Sequence, residues 1–192
     1  MKVIRFWKPY KVLTQFTDKD GRDTLAKYIK LPNVYPAGRL DYDSEGLLIL
    51  TDNGTFQHQL TDPKFEHPKT YWAQVERIPT EEALAQLRAG VMLKEGMTRP
   101  AKVTLMEQDP RVPSRSEPIR YRENIPTAWL EITITEGRNR QIRRMTAAAG
   151  HPTLRLVRWS VGDVTLAGLS EGKWDDVDPV DLLGLQRSIK RR

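Results

Sequence analysis

The 192-residue chain has no cysteine. Disulfides, cysteine nucleophiles and thiolate metal centres are therefore excluded. A chain of this length builds a core without cross-links, and the absence fits a cytoplasmic protein. No apolar run approaches the ~20 residues that a membrane-spanning helix needs. The N-terminus, Met1-Lys2-Val3-Ile4-Arg5-Phe6-Trp7, lacks the apolar core of a signal peptide. It reads as a first strand, so either the chain starts at the fold or an upstream segment has been removed. Histidine is scarce: His58, His67 and His151 lack metal-ligand spacing, and no zinc site is expected. There is no Gly-rich phosphate loop, Walker motif or Gly-x-Ser-x-Gly elbow, which leaves nucleotide-driven chemistry without support. No internal repeat is present.

What the chain does have is positive charge. Lys and Arg number 31 against 25 Asp and Glu, a formal +6 with a pI of about 9.6. A basic domain favours a polyanionic partner, because phosphate contacts supply much of the affinity for nucleic acid.

The hydrophobic pattern is that of an α+β protein. Val3–Trp7, Val12–Phe16, Leu47–Thr51 and Thr70–Val75 read as strands. Leu130, Ile132 and Ile134 alternate with polar residues, as on a half-buried strand. Leu154–Val157 and Val161–Leu166 are further strand candidates. Helices are expected over 24–29, from Thr55, over 80–89 with Thr80 as N-cap and Gly90 beyond the end, and over 139–149 before Gly150 and Pro152. The stretch 108–126 carries four prolines and reads as a long irregular connection. The tail from 183 to 192 is basic, and its last five residues, 188–192, are expected to fray.

Two constellations carry chemistry. Gly38-Arg39-Leu40-Asp41 places a carboxylate in a turn ahead of the apolar run Leu47-Leu48-Ile49-Leu50. An aspartate there also serves as a plain turn residue. Asp41, Asp43, Glu45, Gly46 and Asp52 fit positions 1, 3, 5, 6 and 12 of a calcium loop. Pro32 and Pro36, however, deny the entering helix, and the apolar run downstream prefers strand. The second constellation is Glu136-Gly137-Arg138-Asn139-Arg140-Gln141-Ile142-Arg143-Arg144-Met145, an arginine cluster at a strand-to-helix junction. In a helix from Asn139, Arg140, Arg143 and Arg144 share a face. They form either a solvated stripe or a phosphate clamp helped by the amides of the helix start.

These residues resemble those of the bacterial ribosomal RNA pseudouridine synthases of the RsuA/RluB/RluE/RluF group. The likeness extends through Lys8-Pro9, Val12-Leu13-Thr14, the stretch from Pro36 to Gly54, Lys69-Thr70-Tyr71, the 136–145 segment, and Leu156-x-Arg158 ahead of Val161-Gly162. Many members of the group carry an S4-type RNA-binding domain at the N-terminus, and these 192 residues contain none. The resemblance implies a single catalytic domain with a mixed, largely antiparallel sheet flanked by helices, and two lobes, about 1–68 and 69–175, around a cleft. It implies isomerisation of uridine to pseudouridine, with one uridine of 23S rRNA as the expected target. By the same resemblance Asp41 is the catalytic aspartate, Tyr71 the active-site tyrosine and Arg143 the arginine that pairs with the aspartate. Leu156 lines the uracil pocket, and Arg39, Arg138, Arg140 and Arg144 face the RNA.

Pseudouridine formation breaks N1–C1′ and joins C5 to C1′ without net redox change, so neither metal nor organic cofactor is expected. The carboxylate has three routes open to it: attack on C1′, addition to C6, or removal of a C2′ proton. Two rival readings remain: a non-catalytic rRNA-binding or ribosome-assembly module, and, last, a metal-dependent phosphodiesterase using Asp41 and Asp43. The expected protein is a monomer.

Overall fold

The computed structural model describes residues 1–119, 122 and 124–190, with side chains as far as 186. In chain order the strands are β1 Val3–Lys8, β2 Tyr35–Pro36, β3 Glu45–Thr51, β4 Lys69–Glu76, β5 Met92–Leu93, β6 Gly96–Met97, β7 Lys102–Leu105, β8 Thr127–Ile134, β9 Thr153–Val161, β10 Val164–Thr165 and β11 Trp174–Asp176. The α-helices are α1 Gly54–Thr61, α2 Glu81–Ala89, α3 Gln141–Ala148 and α4 Pro179–Lys190. The chain forms two compact units, Met1–His67 with Arg158–Arg192, and Pro68–Val157. Residues 158–175, placed with the second lobe from the sequence, thus belong to the first unit.

In the first unit β1 pairs antiparallel with β3 on one side and β11 on the other. Every residue of β3 is buried, which explains its near-continuous apolar sequence. Ile4, Phe6, Leu48 and Leu50 form a core with Leu25, Ile29 and Val34. In the second unit β4 pairs with β8 and β8 with β7, both antiparallel. The inward residues Ala73, Val75, Val103, Leu130, Ile132 and Ile134 pack with Leu84 and Leu87 of α2 and Ile142 and Met145 of α3. Thr80 caps α2 by accepting from the Ala83 amide, and Gly90 takes φ 104 beyond its end, as the sequence indicates.

Other elements differ from expectation. Val12–Phe16 forms no strand and makes one bridge, Leu13 to Thr24. Lys11 sits at φ 56 and turns the chain, and the amides of Lys11 and Leu13 bond the carbonyls of Tyr42 and Asp23 instead. The two expected strands after 153 are one longer strand, β9, and a short β10 joined by a turn at Gly162. The C-terminal stretch is helical through Lys190, so 188–190 continue α4, whereas 191–192 of the expected frayed tail lie outside the described residues. The hairpin β5–β6 and strand β7 went unforeseen. No helix among the described residues is long and apolar enough to cross a membrane.

Candidate active site

Asp41 belongs to the first unit, on the turn that leads into β3. The carbonyl of Asp41 accepts the Ser44 amide at 3.1 Å. Just upstream, Thr14 grips Leu40 twice: its hydroxyl donates to the Leu40 carbonyl at 2.7 Å and accepts the Leu40 amide at 3.2 Å. The Lys11 amide reaches the Tyr42 carbonyl at 2.9 Å. The segment after β1 therefore holds the aspartate turn on both sides of Asp41. Arg39 is exposed, whereas Asp41 is half-buried. No calcium loop forms, because β3 stands where an exiting helix would be.

Beneath this turn lies Lys8, which no solvent reaches. Strand parity puts it there, since Ile4, Phe6 and Lys8 share the inward face of β1. Its ammonium donates to the carbonyls of Pro9 at 2.9 Å and Val12 at 2.7 Å, shaping the segment that holds Leu40. Desolvation pushes the Lys8 pKa down from 10.5 to about 7, against the opposing pull of Glu45, Asp43 and Asp41 and with some help from Arg158. Between those two values the unfolded chain binds a proton that the folded chain does not. Stability therefore rises with pH across that window and is flat, from this group, below about 7. The gain from pH 7 to 9 is of order 2 kcal/mol. Thermal melts over this range should show a rising midpoint in the wild type and a flattened one in Lys8→Met. Parallel slopes in the two proteins would mean that Lys8 carries no such penalty.

Tyr71, Arg138, Arg140, Arg143, Arg144 and Leu156 all belong to the second unit. Tyr71, on β4, packs partly buried against the core that contains Leu156, Ile142 and Met145. At the junction of β8 with α3 the buried Glu136 is a hub. One carboxylate oxygen accepts the Arg99 amide and the Gln141 side-chain amide, the other the Arg138 Nε. The Gln141 carbonyl oxygen in turn accepts the Arg138 backbone amide. This hub fixes the start of α3, with Arg140 at φ 48 as the N-cap residue. Arg140 thus precedes the helix and does not continue a helical face with Arg143 and Arg144, contrary to the sequence spacing. Arg143 donates from Nη1 to the Thr153 carbonyl at 3.3 Å.

The other two arginines have partners inside the unit. Arg138 donates from Nη1 to the Gly96 carbonyl at 2.7 Å and from Nη2 to the Met97 carbonyl at 2.6 Å. Arg144 meets Glu95 at 2.7 Å. Lys8, Thr14, Glu136 and Gln141 stand within the motifs quoted from the sequence, but sequence reasoning assigned them no role of their own. For Lys8 the inward parity of β1 was the available signal. Among the described residues no three His, Asp or Glu side chains are grouped to hold a metal ion.

The sequence and fold of this chain match those of known RNA-modifying enzymes. The family model of RNA pseudouridylate synthase matches residues 2–148. A relative from Vibrio parahaemolyticus, a ribosomal large subunit pseudouridine synthase E, is 59% identical over 92% of this chain and 74% of its own length. One of the same designation from Xanthomonas axonopodis pv. citri is 56% identical over 85% of this chain and 87% of its own. A crystal structure of a pseudouridylate synthase superposes with a TM-score of 0.79 at 28% identity, covering 96% of this chain and 73% of that one. The chain belongs to the RNA pseudouridylate synthase family, and its activity is that of an isomerase which converts uridine to pseudouridine in RNA.

Proposed function

We propose that the substrate is a single uridine of 23S rRNA and that the protein acts on it as a cytoplasmic monomer. The resemblance to large-subunit synthases over nine-tenths of the chain supports this reading. The observation that carries the chemistry is the Asp41 turn, held by Thr14 and Lys11 over a buried lysine. A carboxylate so fixed meets the demand for a preoriented group at the sugar–base junction.

In the reaction C5 loses a hydrogen and N1 gains one, so atoms balance without a co-reactant. The target base must leave its stack, at a cost of a few kcal/mol that is least in loops and bulges. Tyr71 offers an aromatic face to the flipped uracil, worth ~1–3 kcal/mol by comparison with other base–aromatic contacts. Arg39, Arg140 and Arg144 take phosphates, Leu156 keeps its place against the base, and Arg138 shapes this surface through the β5–β6 hairpin.

Arg143 serves as a bidentate partner for a carboxylate, which an ammonium cannot reproduce. Arg143→Lys should therefore lose about 10- to 100-fold in kcat while RNA affinity changes little. Near-normal turnover in this variant would remove Arg143 from the chemistry. The substrate itself is tested by mapping pseudouridine in 23S and 16S transcripts and in precursor particles after incubation with the protein. One modified position, confined to 23S rRNA, is expected. Modification confined to 16S rRNA would contradict the assignment, and none in any RNA would favour a binding module.

A further inference from the structure

The Glu95–Arg144 contact has the form of a substrate contact made by the protein with itself. Glu95 lies in the turn between β5 and β6. Both of its carboxylate oxygens accept from one nitrogen of Arg144, Nη1, at 2.8 and 2.7 Å. The other two nitrogens of that guanidinium, Nε and Nη2, are shielded from solvent and have no hydrogen-bond partner among the described residues. A guanidinium offers a planar fork that suits two oxygens on two nitrogens. Glu95 uses only one prong, so the seat is incompletely filled.

The surroundings point to an anion as the fitting occupant. Arg138 also acts electrostatically on Glu95, and Arg140 is exposed at the start of α3. Arg138 pins the hairpin through the carbonyls of Gly96 and Met97, while the Glu95 carboxylate is held by Arg144 and, beyond it, by the Glu95 backbone amide. The Glu95 side chain is 54% exposed and that of Arg144 30%. An ion pair so open to water is cheap to break, and a phosphodiester brings oxygens that reach more than one prong of the fork.

We propose that Glu95 stands on Arg144 in the place of an RNA phosphate, so that the β5–β6 hairpin carries a built-in competitor which the RNA backbone displaces. This rests on the reading of the protein as an RNA-binding isomerase, and adds to it a device that selects against weakly held RNA. A strand that cannot displace the carboxylate gains nothing from Arg144.

The test is a double-mutant cycle on binding of a labelled 23S rRNA fragment, with Glu95→Gln, Arg144→Ala and the pair, each measured against salt. Glu95→Gln should tighten binding about 3- to 10-fold and steepen the salt dependence by up to about one unit of log K per log salt. In the Arg144→Ala background the same change should leave affinity within about twofold. Equal tightening in both backgrounds would reduce the effect to general charge, and no tightening in either would overturn the proposal. Tritium release from uridine-labelled RNA separates the two layers. If release persists while the cycle shows no coupling, the competitor is refuted and the isomerase stands. If the wild type neither binds nor releases, the underlying reading fails first.

Discussion

Asp41→Asn is expected to retain RNA binding within about threefold and to lose at least about 10³-fold in turnover, since the sole carboxylate proposed for the chemistry is gone. Asparagine has the same shape and suits turns as well as aspartate does. The hydrogen bonds that hold this turn use the Asp41 carbonyl, the Thr14 hydroxyl and backbone groups of Leu40, Lys11 and Tyr42. Because asparagine keeps the shape and the turn propensity, the variant is expected to melt close to the wild type, which makes its loss of turnover chemical rather than structural. Filter binding, a thermal melt and single-turnover kinetics on one preparation check all three statements. Turnover above a few per cent of wild type would show that the carboxylate is dispensable.

The largest effect on stability is expected at Gly46, five residues further on. Its φ is +107, a conformation that L side chains rarely adopt, and a Cβ there would fall on the carbonyl oxygen of Arg158, 2.6 Å from the Arg158 amide nitrogen. These are backbone atoms of a neighbouring strand and cannot rotate aside. Arg158 is further tied down, because its Nε donates to the Leu47 carbonyl at 2.7 Å. Gly46→Ala combines backbone strain with overlap in the buried middle of the unit, and at least about 3 kcal/mol is expected. Against a total of ~5–15 kcal/mol that is a large fraction. The protein should be largely insoluble or melt many degrees lower. Gly38 provides the control: its φ is +87, but a Cβ would meet only the Thr61 methyl at 3.6 Å. Gly38→Ala should cost about 1 kcal/mol. Similar melting points for the two variants would contradict the steric argument.

The strands and helices that announced themselves in the sequence are those whose hydrophobic period is decided locally. β8 alternates, α2 carries its own cap and terminating glycine, and β3 is apolar throughout. The elements that went unseen depend on distant partners. β5 and β6 are two residues each, and their hairpin is anchored by Arg138, some forty residues away. β11 has its pairing partner in β1, at the other end of the chain. The segment after β1 looked like a strand by composition, but its amides are taken by Tyr42 and Asp23.

The candidate site was legible to a similar degree. Asp41, Tyr71 and Arg143 stand out through motif resemblance, because chemistry restricts the residue types. Their supports do not stand out in the same way. Thr14, Glu136 and Gln141 act through hydrogen bonds that only the folded chain reveals. Two of the four arginines expected to face RNA, Arg138 and Arg144, bond the β5–β6 hairpin. A run of arginines gives no sign of which members are spent on the protein itself.

The central claim is isomerisation of one uridine by the Asp41 carboxylate. It is tested most directly by tritium release from 23S rRNA transcripts and precursor particles labelled at uridine C5, with wild type and Asp41→Asn side by side. Forming the C5–C1′ bond expels the label, so one equivalent per RNA should appear in solvent with the wild type and none with the variant. Equal release from both proteins, or none from the wild type on any of these RNAs, would contradict the claim.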